Sequence, residues 1–420
     1  MDFKTYVYDF IRDGQKYELR KIKRLLEILG NPQQKFKAIH ITGTNGKGST
    51  STYIEYILTE AGYKTGKFTS PHLVSYNERI RFNCINIPDE EFNQIKPVIM
   101  EAVEKLKPEF EEIPSFFEII TAIAYYYFAT KKVDYAVIEA GLGGRLDATN
   151  TLDNSLTIVT NVDFDHMGIL GKTLQKIAFE KVSVLKESSL LVSSEKRPRI
   201  LDFFKQEAQN KKSEYSFYEK HFKAANIKLS PFSTTFDYIS PDLNIKNIIL
   251  NMAGAHQIKN ACMAIKICEK LKIDEKSIKN GLKKAFFPGR LEVISRENPL
   301  VVFDGAHNPA GIRTLQKYLE KFYKTQNPLF LTSILRDKNP DFLFQTLSSY
   351  SETVYLTHID NHRVMEMEKM KKHAQKFFKN IYTFENSQKA YEKALNQAKK
   401  ENRPLFVTGS LYLLGELKNN

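Results

Sequence analysis

The chain has 420 residues, 42% of them apolar, with a formal net charge of +13 and three cysteines, Cys84, Cys262 and Cys268. That length predicts two or three domains with full cores, and no apolar run approaches the roughly 20 residues of a membrane helix. The odd cysteine set lacks a C-x-x-C pair, which argues against a disulfide framework or zinc site, and Met1-Asp-Phe-Lys-Thr has no signal-peptide design, so a cytoplasmic protein is expected.

Residues 1–37 read as helical, with Ile22, Leu25, Leu26, Ile28 and Leu29 on one face and Gly30-Asn-Pro as the stop. Ala38–Ile41 then forms a short buried strand that runs into Thr42-Gly-Thr-Asn-Gly-Lys-Gly-Ser-Thr50. Ser49 is expected to open a helix whose apolar face carries Tyr53, Ile54, Ile57, Leu58 and Ala61, ended at Gly62 in a left-handed cap. Strand, glycine loop and helix cradle phosphate: backbone N–H groups and the helix N-terminus face the anion. Lys47 is placed to reach terminal phosphates, and Ser49 or Thr50 to meet Mg²⁺. The order Lys47-Gly48 departs from G-x-x-x-x-G-K-[ST], and a plain glycine turn is the competing reading.

Ser70-Pro71-His72 leaves a short extended segment as a loop. Helices are expected over 89–107 and 115–130, the second with Phe116, Phe117, Tyr125, Tyr126, Tyr127 and Phe128, a stripe that usually packs a core. Val133–Glu139 is a buried strand with a carboxylate at its C-terminal end, where open α/β sheets bind ligands. Glu139 is therefore either a Mg²⁺ partner or a cap for the glycine-dense loop Ala140–Asn150. Thr157–Val162 is the next strand, delivering Asp163, Asp165 and His166 to the same edge, and 173–185 is a helix carrying Glu180-Lys181. Residues 186–250 show alternating strand-like runs without chemistry, and are read as an extension of the first domain. A helix is read from Asn251 through Leu271. Pro288-Gly289 marks a break, Leu300–Asp304 a buried strand ending in a carboxylate, and the remainder alternates strands near 329–334, 354–357, 381–384 and 405–408 with helices near 312–323, 340–348, 367–378 and 387–399.

Gly43-Thr-Asn-Gly-Lys-Gly-Ser49 resembles the phosphate loop of the Mur ligase superfamily, most closely that of the folylpolyglutamate synthase and dihydrofolate synthase family. The likeness continues through Thr69-Ser-Pro-His-Leu73, Glu139-Ala-Gly-Leu-Gly-Gly-Arg-Leu-Asp-Ala-Thr-Asn150, Asp165-His-Met-Gly-Ile-Leu-Gly171, Gly254-Ala-His-Gln-Ile-Lys-Asn-Ala261, Asp304-Gly-Ala-His-Asn-Pro309 and Thr408-Gly-Ser-Leu-Tyr412, in order along nearly the whole chain. It is weakest over 186–250 and before Lys37, where Tyr17-Glu-Leu-Arg departs from the family pattern.

The resemblance implies an ATP site of Gly43, Thr44, Asn45, Gly46, Lys47, Gly48 and Ser49, with Asn260 on adenine, Arg290 on the phosphates, and Asp304 and His307 at the nucleotide. It makes Ser70, Glu139 and His166 ligands of Mg²⁺, with two ion sites, and Lys181 a lysine carbamylated to N6-carboxylysine. It sets Phe116, Phe117, Arg145 and Asp147 near the folate-like substrate, and counts Lys47, His166 and Lys181 as catalytic.

The expected fold is α/β: an ATPase domain with a mostly parallel sheet over 1–286, hinged at Phe287–Glu292 to a Rossmann-like domain over 287–420. The hinge would bring Arg290 and Asp304 over ATP. The implied reaction is ATP-dependent addition of L-glutamate to dihydropteroate or tetrahydrofolate through an acyl phosphate, by a monomer with no nucleic-acid or membrane partner. An amide ligase of the Mur type acting on a non-folate carboxylate is the alternative. Peptidoglycan ligases carry a UDP-sugar domain before the loop, a generic P-loop ATPase leaves the Asp304 motif unexplained, and a nucleic-acid protein accounts only for the charge. The lysines scatter, as at Lys371-Lys372 and Lys399-Lys400, without a basic-aromatic module.

Overall fold

The computed structural model describes residues 18–110 and 112–419; Tyr17 and the part of the expected N-terminal helix before it lie outside the described residues. The chain divides into two compact units. The first holds the described residues up to Asn226, with Phe236–Ile248 and Lys259–Ala285, and the second holds Ile227–Thr235, Ile249–Ile258 and the chain from Phe286.

The first unit is built on eight strands: β1 (Lys37–Thr42), β2 (Thr65–Phe68), β3 (Ile80–Phe82), β4 (Ile85–Asn86), β5 (Tyr135–Glu139), β6 (Ser155–Val159), β7 (Leu190–Ser193) and β8 (Glu214–Phe217). Their order is β4-β3-β2-β5-β1-β6-β7-β8, with β1 in the middle and pairing parallel to both β5 and β6. Strands buried on both faces lose the alternation of half-exposed ones and read as apolar runs, which is why Ala38–Ile41 and Tyr135–Glu139 were visible in the sequence. Two helical segments cover one face: Arg20–Ile28, buried through Ile22, Leu25 and Leu26, and Phe116–Lys131, whose aromatic residues Tyr125, Tyr127 and Phe128 lie in the core. The aromatic stripe is thus mainly packing. Leu191, Ile200, Leu201 and Phe204 belong to a second cluster formed with Ile177 and Val182.

Several boundaries shift. The phosphate-loop helix runs Lys47–Glu60, two residues earlier than expected at Ser49, because Gly46 takes the N-cap in the left-handed region (φ 87°). Its end is as expected, with Gly62 at φ 85° donating to Thr59 O. Strand β6 stops at Val159, so Thr160–Val162 are loop. Within 186–250 the helix Pro198–Asn210 was not foreseen, and 227–235 cluster with the second unit. The helices Glu275–Lys284 and Leu411–Lys418 were also unread.

Strands β9 (Lys223–Leu229), β10 (Thr234–Ile239) and β11 (Asn244–Leu250) form a separate sheet in the order β11-β10-β9. The second unit contains β12 (Glu292–Ser295), β13 (Val301–Phe303), β14 (Leu329–Thr332), β15 (Thr353–Thr357), β16 (Asn380–Phe384) and β17 (Leu405–Thr408) in the order β12-β13-β17-β14-β15-β16. All neighbours are parallel except the β12–β13 pair.

A buried ionic cluster ties the phosphate-loop helix to β2 and β3. Lys67 Nζ lies 3.2 Å from Glu55 Oε2 and donates to Thr52 Oγ1 at 2.9 Å, while Arg81 Nε is 3.3 Å from Glu55 Oε1. Burial pulls the Lys67 ammonium below its usual range, and the Glu55 charge opposes that. Removing the carboxylate shared by two buried cations leaves Lys67 and Arg81 without their neutralising partner. Glu55→Gln is expected to destabilise this unit by roughly 3 kcal/mol, read as a lower urea midpoint at unchanged slope. An unchanged midpoint would show that the cluster carries no stability.

Candidate active site

The loop after β1 is held by the chain leaving β6. Thr44 N donates to Asn161 O at 3.0 Å, Asn45 N to Asn161 Oδ1 at 2.9 Å, and Thr160 Oγ1 to Asn45 O at 2.7 Å. Asp163 N donates to Thr44 Oγ1 at 2.9 Å. Two glycines are required by space as well as by φ. A Cβ on Gly43 (φ 139°) would fall 1.8 Å from Thr160 Oγ1, and one on Gly46 would fall 2.6 Å from Asn260 Oδ1. Asn260, buried, therefore packs directly on the phosphate loop. Lys47 sits in the first helical turn with Nζ donating to Gly43 O at 3.0 Å, a curled position within the loop it serves. Gly48 and Ser49 follow within the helix.

Glu139 ends β5 beside β1 and is almost fully buried. Strand β2 runs parallel to β5, pairing Phe68 with Ile138, so Thr69 and Ser70 leave the sheet next to Glu139. Thr69 Oγ1 donates a short hydrogen bond to Glu139 Oε2. Ser70, half-buried, precedes a cis peptide to Pro71. His166 takes a left-handed conformation (φ 47°), is exposed, and has Nε2 3.7 Å from Asp165 Oδ1.

Lys181 is 3% exposed on the helix Leu174–Val182. Glu180 is half-buried and pairs with Arg145 at 3.0 Å, while Lys181 is buried, so the two are not an ordinary exposed pair. Burial, with the nearby Lys47 cation, lowers the Lys181 ammonium to about 7, against the opposing charges of Asp165 and Asp147. Those same influences place Lys47, Asp165 and Asp147 in electrostatic reach of one amine.

The glycine loop 140–150 lies between that helix and the aromatic helix. Arg145 N donates to Glu180 O at 2.8 Å, and a Cβ on Gly141 would fall 2.6 Å from Phe117 Cζ. Phe116 is stacked under the Arg79 guanidinium at 5.3 Å. Asp147 is turned inward: its Oδ2 accepts from Leu142 N at 2.8 Å and its Oδ1 from Thr149 N at 3.0 Å. Its carboxylate shapes the loop from below.

In the second unit, Asp304 follows β13, with Oδ2 accepting from Leu291 N at 2.9 Å and Oδ1 from Ala306 N at 3.1 Å. Burial raises its carboxyl above the usual range and the adjacent Arg290 opposes this. Gly305 lies against Arg290 Nη1, and His307 Nδ1 is 2.8 Å from Gly305 O.

Residues 41–268 match the Mur ligase middle domain, and residues 290–420 match the dihydrofolate synthetase C-terminal domain. The chain is 33% identical to the dihydrofolate synthase/folylpolyglutamate synthase of Bacillus subtilis, over 99% of this chain and 98% of the relative. It belongs to the dihydrofolate synthase/folylpolyglutamate synthase family. Among solved structures it is similar to folylpolyglutamate synthase from Thermotoga maritima (TM-score 0.87, 36% identity, covering 99% of this chain and 95% of that one). It is likewise similar to E. coli FolC in complex with DHPP and ADP (TM-score 0.87, 26% identity, covering 99% and 95%).

The donors fit the Mg²⁺ that the family implies. Mg²⁺ takes one or two carboxylates and completes its shell with water and substrate phosphates. Glu139 offers a buried carboxylate, Ser70 a neighbouring hydroxyl, and Thr50 Oγ1 is buried with no hydrogen-bond partner among the described residues. Nitrogen from His166 suits the ion less well. No group of three or more His, Cys, Asp or Glu side chains forms a ready metal cage among the described residues, and no helix there is long and apolar enough to cross a membrane.

Sequence reasoning passed over Thr69, Asn161 and a group of buried hydroxyls in the second unit. Thr332 Oγ1, Ser333 Oγ and Thr408 Oγ1 are buried without hydrogen-bond partners among the described residues. They sit at the C-terminal ends of the paired strands β14 and β17, where Thr332 is in register with Thr408. The motif Thr408-Gly-Ser410 was visible; its strand neighbour Thr332 was not.

Proposed function

We propose that this chain joins L-glutamate to the carboxylate of a pteroate or folate, using ATP. One observation carries the reading: a phosphate loop strapped by Thr160 and Asn161, with Lys47 in the first turn of the helix that follows it, in a chain with family matches over 41–268 and 290–420. The acceptor carboxylate attacks the γ-phosphorus, an O–P bond forms, and ADP leaves. The glutamate α-amine then attacks the acyl carbon of the acyl phosphate, and phosphate departs as the amide forms and the amine loses a proton.

The loop N–H groups from Gly43 to Ser49 and the Lys47 ammonium hold the phosphates in line and meet the charge that builds on the transferring group. When bound, Mg²⁺ would supply further charge neutralisation, with Glu139, Ser70 and His166 assigned to hold it on the family motifs. Asn260 is assigned to adenine, and Arg290, Asp304 and His307 to the nucleotide, on the family motifs. Phe116, Phe117 and Arg145 face the acceptor, with Asp147 shaping their loop. The unsatisfied hydroxyls of Thr332, Ser333 and Thr408 are suited to an amino-acid carboxylate. The reading takes the protein as a cytoplasmic monomer.

The test is phosphate release from Mg-ATP with glutamate, comparing dihydropteroate, tetrahydrofolate and no acceptor. Release is expected only when an acceptor and glutamate are both present. Stimulation by dihydropteroate alone would define a dihydrofolate synthase, by tetrahydrofolate alone a polyglutamylating enzyme, and by both a bifunctional one. Stimulation by neither would refute the folate reading.

A further inference from the structure

We propose that His40 is a positioning residue for the acceptor loop 140–150, acting on it through the Thr149 hydroxyl and the Asp147 carboxylate. The proposal rests on the assignment of that loop to the acceptor.

His40 lies in the middle of β1, the central strand, paired with Ile138 on one side and Thr157 on the other, and is fully buried. A polar ring in such a place costs desolvation unless it is hydrogen-bonded. Its Nε2 is 2.8 Å from Thr149 Oγ1, across 109 residues of sequence. Thr149 Oγ1 in turn donates to Asp147 Oδ1 at 2.5 Å. A hydroxyl has one proton. With that proton on Asp147, Thr149 Oγ1 accepts from His40, so His40 carries its proton on Nε2. His40 Nδ1 is buried without a hydrogen-bond partner among the described residues. Burial, then the Lys186 charge, lowers the ring to about 3, so it acts as a neutral donor and not as a base.

The output of this relay is loop shape. Asp147 accepts from Leu142 N and Thr149 N, which ties the two ends of the glycine-dense segment together. Tyr125 OH also donates to Thr149 O at 3.0 Å, anchoring the far end to the aromatic helix. Between those anchors lies Arg145, paired with Glu180, and Gly141, packed on Phe117, immediately precedes them. An apolar residue at position 40 would fill the strand equally well. The histidine adds a fixed direction for the Thr149 hydroxyl, and through it a fixed direction for Asp147.

The test is hydrogen exchange at the Leu142 and Thr149 amides together with steady-state kinetics. His40→Met and Thr149→Val are expected to speed exchange at both amides, and to raise the acceptor KM, by about tenfold, the factor expected of one lost hydrogen bond. The KM for ATP should stay within about twofold, since the phosphate loop keeps its own straps, and core amides elsewhere should keep their protection. His40→Gln, which retains a donor at similar reach, and Thr149→Ser are expected to behave as wild type. The double variant should be no worse than either single, because both break one chain. Wild-type exchange and KM in folded His40→Met would overturn the relay, as would an equal rise in both KM values. A wild-type enzyme without acceptor-dependent phosphate release would instead defeat the proposed function, and the exchange data would still decide the relay.

Discussion

Lys47→Ala is expected to cut acceptor-dependent phosphate release by roughly a hundred- to a thousand-fold, the effect of removing one preorganised group from developing transition-state charge. Its Nζ lies against the carbonyls of Gly43 and Thr44, at 3.0 and 3.4 Å, and the side chain is only half-buried. Those carbonyls can turn to water, so the melting temperature should hardly move. Lys47→Arg should also be impaired, since a planar fork does not replace a compact ammonium inside a tight loop. Measurement of kcat at saturating ATP, beside a thermal melt, separates the two effects. Wild-type turnover in Lys47→Ala would end the assignment of this loop to phosphoryl transfer. The same substitution has a second consequence. Lys47 helps depress the Lys181 ammonium, so its loss should leave Lys181 more protonated near neutral pH.

What the sequence made legible was what local geometry determines. Strand, glycine loop and helix at 37–60 follow from short-range pattern, and the steric demands at Gly43 and Gly46 explain the glycines found there. The Mur-type signature carried the family through seven motifs. Partners distant in sequence stayed hidden. His40 read as one letter in an apolar run, because its function depends on Thr149. Thr69 read as a loop hydroxyl until β2 was placed beside β5. Asp147 read as a substrate contact, whereas its bonds to Leu142 and Thr149 point it into the loop. Pro198–Asn210 was missed although Ile200, Leu201, Phe204 and Ala208 lie at helical spacing, because the surrounding strand-like runs dominated the reading.

Lys181 gives the second large effect, with activity and stability moving in opposite directions. A lysine lowered to about 7 is half neutral there, and only the neutral amine attacks CO₂. In the carbamylation that the family resemblance implies, the N–C bond would form, one proton would be lost, and a carboxylate would replace the cation within electrostatic reach of Lys47. Turnover at fixed dissolved CO₂ should therefore rise with pH through about 7, fall in degassed buffer at pH 6, and return when bicarbonate is added at pH 8. Lys181→Met cannot make that carboxylate and should lose activity by roughly a hundredfold, at the upper end for groups that organise a metal site from behind its ligands. The stability sign is the reverse. Since the folded state lowers this lysine below 10.5, the unfolded chain binds more protons between about 7 and 10.5. The unmodified enzyme is thus penalised in full below pH 7, and regains that stability as pH rises through the window. Lys181→Met removes the penalty, so at pH 6 it should melt higher than the CO₂-depleted wild type while remaining nearly inactive. Full activity in Lys181→Met, or turnover indifferent to CO₂ across this range, would rule out a carbamate at Lys181. A lower melting point at pH 6 would contradict the burial cost on which the neutral amine depends.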